Sequence, residues 1–452
     1  MRVRHGLRRP DAPLHERPVD PGYQRQRGAT VVGYAHDRRE PLDDRAITTE
    51  LPLAADFAAP PTAADHVRWT ESDAAARPGR LARLRARFET AGIDAYFGLR
   101  PAHMRYLTGF VLGEGEEKVA GTSGHFLVGG GEVLVLADSR YTIQAGREAS
   151  GAQVVDGPRD LATGWAALVA SVGARRVGVE AALLPHAVWR RLELAAPDVE
   201  LVPIEGWVEA DRAIKEPAEL ERVAAACAVA DRALATLLPK IRPGATERDL
   251  ALELEWLIRT GGAEAVAFEP ACLVGSNAAL PHGAPSDTAV RDGAVVLFDF
   301  GSQVGGYRSD MTRTLFVGEP AERDLAVYQL VARAQAAATA ELEACVEGEL
   351  ALPSGRDLDQ IARRLIETDG RWPPYGHGLG HGIGLQTHEP PSLGAWALDG
   401  PLPSPTVFSV EPGIYLEGET GVRIEDLVLL DGGAGRVERL TRFPREVLVL
   451  DA

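Results

Sequence analysis

Cysteine is scarce in this sequence, and its scarcity narrows the classes of protein that are possible. The 452 residues include 3 cysteines, Cys227, Cys272 and Cys345, which lie far apart along the chain. Such spacing excludes a disulfide framework and a cluster of thiolate metal ligands. We therefore expect each cysteine to be a small buried residue.

Long apolar segments and an excess of positive charge are also absent. The sequence contains no run of 18 apolar residues, so we expect no membrane span. Its arginine-rich start lacks the apolar region of a secretory signal. We therefore expect a cytoplasmic protein. The formal net charge of −17 disfavours nucleic acid as a partner.

The length and the changing composition predict two folded domains after an extension. Residues 1–70 are rich in Arg, Asp, Pro and Ala without apolar periodicity, and we expect them to be disordered. Residues 78–205 alternate helix-like and strand-like segments, as a mixed α/β domain does, with a hairpin at Gly129–Gly131. Residues 211–452 place strands on both sides of two helices, which predicts an α+β domain.

Two aspartates lie at the ends of predicted strands in the C-terminal half. Asp299 follows the apolar run of LFDFG (297–301), and Asp310 lies within YRSDMTRT (307–314). On adjacent antiparallel strands, these carboxylates can converge on one site. Each aspartate taken alone would more often be a turn or cap residue.

A histidine cluster and two glutamates follow in the same half. His377, His381 and His388 lie in HGLGHGIGLQTHEPP (377–391), where the density of glycine disfavours a helix. Glu411 lies in FSVEPGIY (408–415) and Glu425 in GVRIEDL (421–427). Two aspartates, two glutamates and an imidazole suit a pair of divalent first-row metals, and such a pair can activate a shared water for hydrolysis.

These five segments, in this order, resemble the pita-bread metallopeptidase family, which includes aminopeptidase P, prolidase, methionine aminopeptidase and creatinase. The resemblance covers about residues 211–452. Residues 78–205 resemble the creatinase/prolidase N-terminal domain through MRYLTGF (104–110) and DSRYTIQA (138–145). The resemblance implies an α+β fold, with a pita-bread catalytic domain after an α/β N-terminal domain.

The resemblance also implies a role for each site residue. Asp299 would chelate one metal, Asp310 and Glu425 would bridge both metals, and His381 and Glu411 would bind the other. Glu411 would also move a proton to the leaving nitrogen. The remaining roles concern the substrate and the support of the ligands: substrate contact (His282), oxyanion stabilisation (His388), the proline-pocket wall (His377), bracing of the carboxylates (Arg423) and contact with the metal ligands (Thr312).

The implied function is hydrolysis of Xaa-Pro bonds with two divalent metals. Manganese is the expected metal, with cobalt, zinc and iron as alternatives, and the expected partners are a small peptide substrate and a second copy of the chain in a homodimer. The full ligand set disfavours creatinase, and the N-terminal domain disfavours methionine aminopeptidase. Aminopeptidase P and prolidase activity remain open, as do hydrolysis of another C–N bond and a non-catalytic binding protein on this scaffold.

Overall fold

The computed structural model describes residues 47–48, 50–113, 121–348 and 350–452. The described helices are α1 Ala63–Ala86, α2 Phe88–Ala91, α3 Pro101–Thr108, α4 Thr142–Glu148, α5 Leu161–Ser171, α6 His186–Ala195, α7 Trp207–Ala213, α8 Pro217–Leu237, α9 Glu247–Thr260, α10 Glu322–Glu347 and α11 Gly355–Asp369, with short 3₁₀ helices at Ala54–Asp56, Leu238–Lys240 and Gly275–Ala279. None of these helices combines the length and apolar character that a bilayer span requires.

The first nine strands comprise the six strands of the N-terminal sheet and three strands, β1, β8 and β9, that belong to other sheets. Their bounds are β1 Ile47–Thr48, β2 Ala95–Gly98, β3 Phe126–Val128, β4 Val133–Ala137, β5 Gln153–Asp156, β6 Arg176–Glu180, β7 Glu200–Ile204, β8 Ala265–Val266 and β9 Ala271–Val274. Six of them form a mixed sheet in the order β5-β4-β3-β2-β6-β7. The predicted hairpin at Gly129–Gly131 is present, because β3 and β4 pair in antiparallel orientation on either side of it.

The remaining strands form the sheets of the C-terminal region. Their bounds are β10 Ala294–Phe300, β11 Ser302–Val304, β12 Tyr307–Arg308, β13 Met311–Val317, β14 Gly380–Gly382, β15 Glu389–Leu393, β16 Thr406–Val410, β17 Gly413–Leu416, β18 Thr420–Arg423, β19 Asp426–Asp431, β20 Arg436–Arg439 and β21 Val447–Leu450. Two five-stranded sheets run β1-β21-β13-β10-β9 and β15-β14-β16-β19-β20. The smaller sheets are β12-β11-β8 and β17-β18. The long helices α10 and α11 lie between β13 and β14 in the chain, as predicted.

The expectation of a disordered extension through residue 70 is wrong for its last part, and residues 1–46 lie outside the described residues. Helix α1 begins at Ala63, where Thr62 and Asp65 cap each other's backbone groups, as a capping box does. Trp69 is buried, and its indole N–H donates to Glu221 Oε2 over 2.9 Å. Pro78, where the predicted folded region begins, lies inside α1.

Strands β18 and β19 are separated by Ile424 and Glu425. The Glu425 N–H donates to the carbonyl of Thr312 over 3.1 Å, so the backbone pairs with β13 at this point. This hydrogen bond holds Glu425, a predicted metal ligand, beside the strand that follows Asp310.

Candidate metal centre

The hairpin of β10 and β13 brings the first two carboxylates to one end of a sheet. Asp299 lies opposite Thr312 in the antiparallel register of these strands, and Asp310 directly precedes β13. Asp310 is buried. The convergence expected for two carboxylates on neighbouring strands is therefore present.

Arg423 and Thr312 hold two of the carboxylates in place. The Arg423 guanidinium donates to Asp299 Oδ2 over 2.5 Å and to Thr312 Oγ1 over 3.0 Å. The Thr312 hydroxyl in turn donates to Glu425 Oε2 over 2.7 Å. Each carboxylate thus has one oxygen fixed by the protein, in the way that outer residues orient metal ligands.

His381 reaches the same site from β14. Its Nε2 lies 3.3 Å from Glu411 Oε1 and 3.7 Å from Asp310 Oδ2. Ser409 links two of these residues, because its hydroxyl oxygen accepts from the His381 backbone N–H over 3.0 Å and donates to Glu411 Oε1 over 2.9 Å. Gly380 permits this approach, since a Cβ at that position would lie 1.9 Å from the Ser409 carbonyl oxygen.

The donor atoms fit a metal cation. Ligand atoms of Asp310, His381 and Glu425 all lie within 4.8 Å of one another. Asp299 Oδ1, Asp310 Oδ1 and Glu425 Oε1 are buried and accept no hydrogen bond from the described part of the chain. Buried oxygens without partners are costly, and coordination to a hard divalent cation would satisfy them.

The electrostatics of the cluster agree with this fit. Burial raises the pKa of Asp310 well above its usual value, and the charges of Glu425 and Asp299 raise it further. Burial and the neighbouring carboxylates raise the pKa of Glu425 in the same way, and burial raises that of Glu411. Crowded carboxylates ionise together at neutral pH only where positive charge compensates them.

The cluster opens onto a cavity of about 1040 Å³ that all five predicted ligands line, together with His282, His377, His388 and Arg423. The rings of His381 and His388 lie 4.1 Å apart between centroids. Burial lowers the pKa of both His377 and His388, so each imidazole is favoured in its neutral form. Arg100 and Leu183 from the N-terminal region line the same cavity.

The sequence-based interpretation missed several residues of this site. Tyr415 stands out, because its hydroxyl accepts from Arg423 Nη1 over 2.9 Å and lies 3.0 Å from His377 Nε2. Tyr415 and Ser409 both lie inside FSVEPGIY, so their closeness in sequence to Glu411 was an available signal. Other missed residues of the cavity wall are Phe268, Arg308, Gln386, Thr387 and Trp396.

A buried ion cluster supports the turn that carries His388. Glu389 pairs with Arg212, and its Oε1 lies 2.8 Å from Lys215 Nζ. Arg212 also donates to Gln386 Oε1 over 3.0 Å. Both cations belong to the segment that joins the N-terminal and C-terminal regions, which lie in one compact unit.

Comparison with known proteins identifies both regions. Residues 221–431 match Metallopeptidase family M24, and residues 80–214 match the Creatinase/Prolidase N-terminal domain. The chain is 34% identical over 276 residues to a Xaa-Pro dipeptidase of Pyrococcus horikoshii, covering 61% of this chain and 76% of the relative.

Two solved structures are similar over most of the chain. One is a Xaa-Pro dipeptidase from Bacillus anthracis, with 32% identity, a TM-score of 0.74 and coverage of 83% of this chain and 100% of the other. The second is an X-Pro aminopeptidase from Thermotoga maritima MSB8, with 33% identity, a TM-score of 0.72 and coverage of 82% and 99%.

The chain therefore belongs to Metallopeptidase family M24. The predicted family, the fold class and the prediction of a metal-dependent peptidase are confirmed, and the alternative of a non-catalytic binding protein is set aside. Membership implies divalent metal ions, in agreement with the carboxylate and histidine cluster.

Proposed function

We propose that this metallopeptidase uses two divalent ions to hydrolyse the bond before proline, in Xaa-Pro dipeptides or at the N-terminus of longer peptides. The observation that carries the proposal is the group of three buried carboxylate oxygens without protein partners at the wall of one cavity. Relatives named as Xaa-Pro dipeptidase and X-Pro aminopeptidase support the choice of bond.

Two ions suit the number and kind of donors. Asp299, Asp310, Glu411 and Glu425 would supply carboxylate oxygens, and His381 would add a nitrogen ligand. When bound, such ions would lower the pKa of a water and polarise the scissile carbonyl. We propose manganese as the metal, since the carboxylate-rich set favours a hard cation.

The chain's own side chains would contribute the remaining steps. His388, in its neutral form, can donate an N–H to the negative charge that develops on the carbonyl oxygen. Glu411 can carry a proton to the leaving nitrogen, because burial raises its pKa. Arg423 orients Asp299 through the 2.5 Å hydrogen bond.

An aromatic wall gives a reason for selecting proline. The rings of His377 and Tyr415 lie 5.6 Å apart between centroids, and both line the cavity. Proline rings dock well against aromatic surfaces. A prolyl ring against His377 would leave the preceding carbonyl facing Asp310, His381 and Glu425.

The test is a rate comparison on the full chain after removal of metals with EDTA. Ala-Pro, Ala-Pro-Gly and the proline-free control Ala-Ala would be assayed after reloading with manganese, cobalt or zinc. We expect metal-dependent cleavage of a proline peptide and two ions per chain by elemental analysis. Equal cleavage of Ala-Ala would refute proline specificity, and one ion per active chain would refute the two-metal mechanism.

We also propose that the chain forms a homodimer in the cytoplasm. The dimer rests on the family resemblance. Light scattering of the purified chain would test the dimer, and a mass equal to one chain would contradict it. Cell fractionation would test the location.

A further inference from the structure

The loop after β15 presents a tryptophan at the mouth of the cavity. Trp396 is 65% exposed and lines the same cavity as His377. Trp256 is similarly exposed but does not line the cavity, whereas Trp69 and Trp165 are buried. Exposing a large apolar ring is unfavourable unless a partner or ligand covers it, and a substrate bound in this cavity is within reach to do so.

Arg356, on α11, fixes the backbone on both sides of Trp396. Its guanidinium donates to the carbonyl oxygens of Ala395 over 3.3 Å and Ala397 over 2.9 Å. A third contact joins it to Asp399 Oδ1 over 2.9 Å. The loop is therefore held in one shape, and the ring is presented on a backbone whose position is set.

Two glycines lie under the ring of Trp396. A Cβ built on Gly378 would lie 3.1 Å from Trp396 Cζ2, and one on Gly394 would lie 3.2 Å from the same atom. The indole thus rests against the backbone of Gly378, the residue that follows His377. Trp396 extends the aromatic wall of His377 and Tyr415 toward the mouth of the cavity.

We propose that Trp396 is a specificity-determining residue that binds an apolar side chain on the residue following proline. The proposal rests on the proposed function. The scissile carbonyl must lie at Asp310, His381 and Glu425, and the prolyl ring lies against His377. Trp396 rests against Gly378, the residue after His377, so it is placed to meet the next residue of the peptide. The preferred substrates are peptides of at least three residues with an apolar third residue.

Leu398 offers a matched control on the same loop. It is 89% exposed and lies outside the lining of the cavity. Removing its side chain changes the apolar surface of the loop without changing the lining of the cavity. Both residues are exposed, so neither Trp396→Ala nor Leu398→Ala should prevent folding, and Trp396→Phe keeps an aromatic ring at the tested position.

The experiment measures kcat and KM of the manganese-loaded chain on Ala-Pro, Ala-Pro-Gly, Ala-Pro-Leu and Ala-Pro-Phe. We expect wild type to favour the Leu and Phe peptides, and Trp396→Ala to lower kcat/KM on those two by about tenfold, mainly through KM. Rates on Ala-Pro and Ala-Pro-Gly should change less than twofold. Trp396→Phe should restore most of the preference, and Leu398→Ala should match wild type.

Three outcomes would overturn the inference. One is an equal loss on all four peptides, and another is the same loss in Leu398→Ala. The third is a wild type that cleaves Ala-Pro but no tripeptide, which would leave the proposed function standing. A wild type that cleaves no proline peptide with any of the three metals would instead refute the proposed function, and the inference with it.

Discussion

Two buried glutamates, one in each region, have opposite surroundings. In the N-terminal region, Glu180 accepts hydrogen bonds from the Tyr96 hydroxyl and from the backbone N–H groups of Leu99 and Arg100, at 2.7 to 2.8 Å. His103 Nδ1 lies 2.5 Å from the same carboxylate. Both oxygens of Glu180 are therefore satisfied by the protein.

Glu425 in the C-terminal region is satisfied on one side alone. Its Oε2 accepts from Thr312, whereas its Oε1 has no hydrogen-bond partner among the described residues. Burial acts to raise the pKa of both glutamates, but the contacts with His103 and Leu99 outweigh it and lower that of Glu180. For Glu425, Arg423 and the Thr312 hydroxyl act in the lowering direction, but burial and the charges of Glu411 and Asp299 outweigh them, so its pKa is raised well above its usual value.

The difference separates a structural carboxylate from a functional one. A fold can stabilise a buried charge with its own donors, as around Glu180. Where several carboxylates are buried with oxygens unused, the missing partner is expected to come from outside the chain. The first test of this comparison removes a carboxylate from the C-terminal cluster.

Asp310→Ala should have the largest effect. We expect kcat/KM on a proline peptide to fall about a thousandfold or more, because a central metal ligand is lost. Metal bound per chain, measured by elemental analysis after dialysis, should fall as well. Asp287→Ala, at an exposed position, is the control and should retain wild-type values. Full turnover by Asp310→Ala would remove this residue from the metal centre.

Glu180→Ala should damage stability instead of metal binding. The change removes the acceptor of the buried His103 ring and of two partly buried backbone N–H groups, and we expect a loss of about 4 kcal/mol in the free energy of unfolding. Urea denaturation would measure it, and the metal content of the folded chain should stay at the wild-type level. A loss below about 1 kcal/mol would show that the protein does not depend on this network.

His125 gives a third test, through pH. Burial lowers the pKa of its ring to about 4, and its Nδ1 is buried without a hydrogen-bond partner among the described residues. Between about pH 6.5 and 4 the unfolded chain therefore binds more protons than the folded one. Stability should fall as the pH falls through this window, by about 3 kcal/mol from this group.

The variant His125→Gln isolates that contribution. The difference in unfolding free energy between wild type and variant, taken from urea denaturation at pH 7 and at pH 4, should shift by about 3 kcal/mol in favour of the variant at pH 4. If this difference were the same at pH 7 and at pH 4, protonation of the His125 ring would not destabilise the folded state.

Tyr415→Phe should have the smallest effect. The aromatic wall remains, but Arg423 and His377 lose a hydrogen-bond partner. We expect kcat on a proline peptide to fall about fivefold, equivalent to about 1 kcal/mol, with metal content unchanged. A fall as large as that of Asp310→Ala would place the tyrosine hydroxyl in the chemistry itself.

The sequence predicted best what is local. Asp299, Asp310, His381, Glu411 and Glu425 all line one cavity, and each was found in a short motif of its own. Contacts between distant segments were missed, because no local pattern encodes them. Trp69 bonds to a residue 152 positions away, and this contact explains why the folded chain begins before residue 78. The break between β18 and β19 depends in the same way on a distant contact, the hydrogen bond from the Glu425 N–H to the Thr312 carbonyl.

The ion cluster of Arg212, Lys215 and Glu389 has a consequence for how the two regions depend on each other. The family match to the catalytic region begins at residue 221, after both cations. A polypeptide starting there would keep every predicted metal ligand but would bury Glu389 without a positive partner, at a cost of about 3 to 5 kcal/mol. The catalytic region thus contains all of the predicted metal ligands, but the segment before it contributes part of its stability.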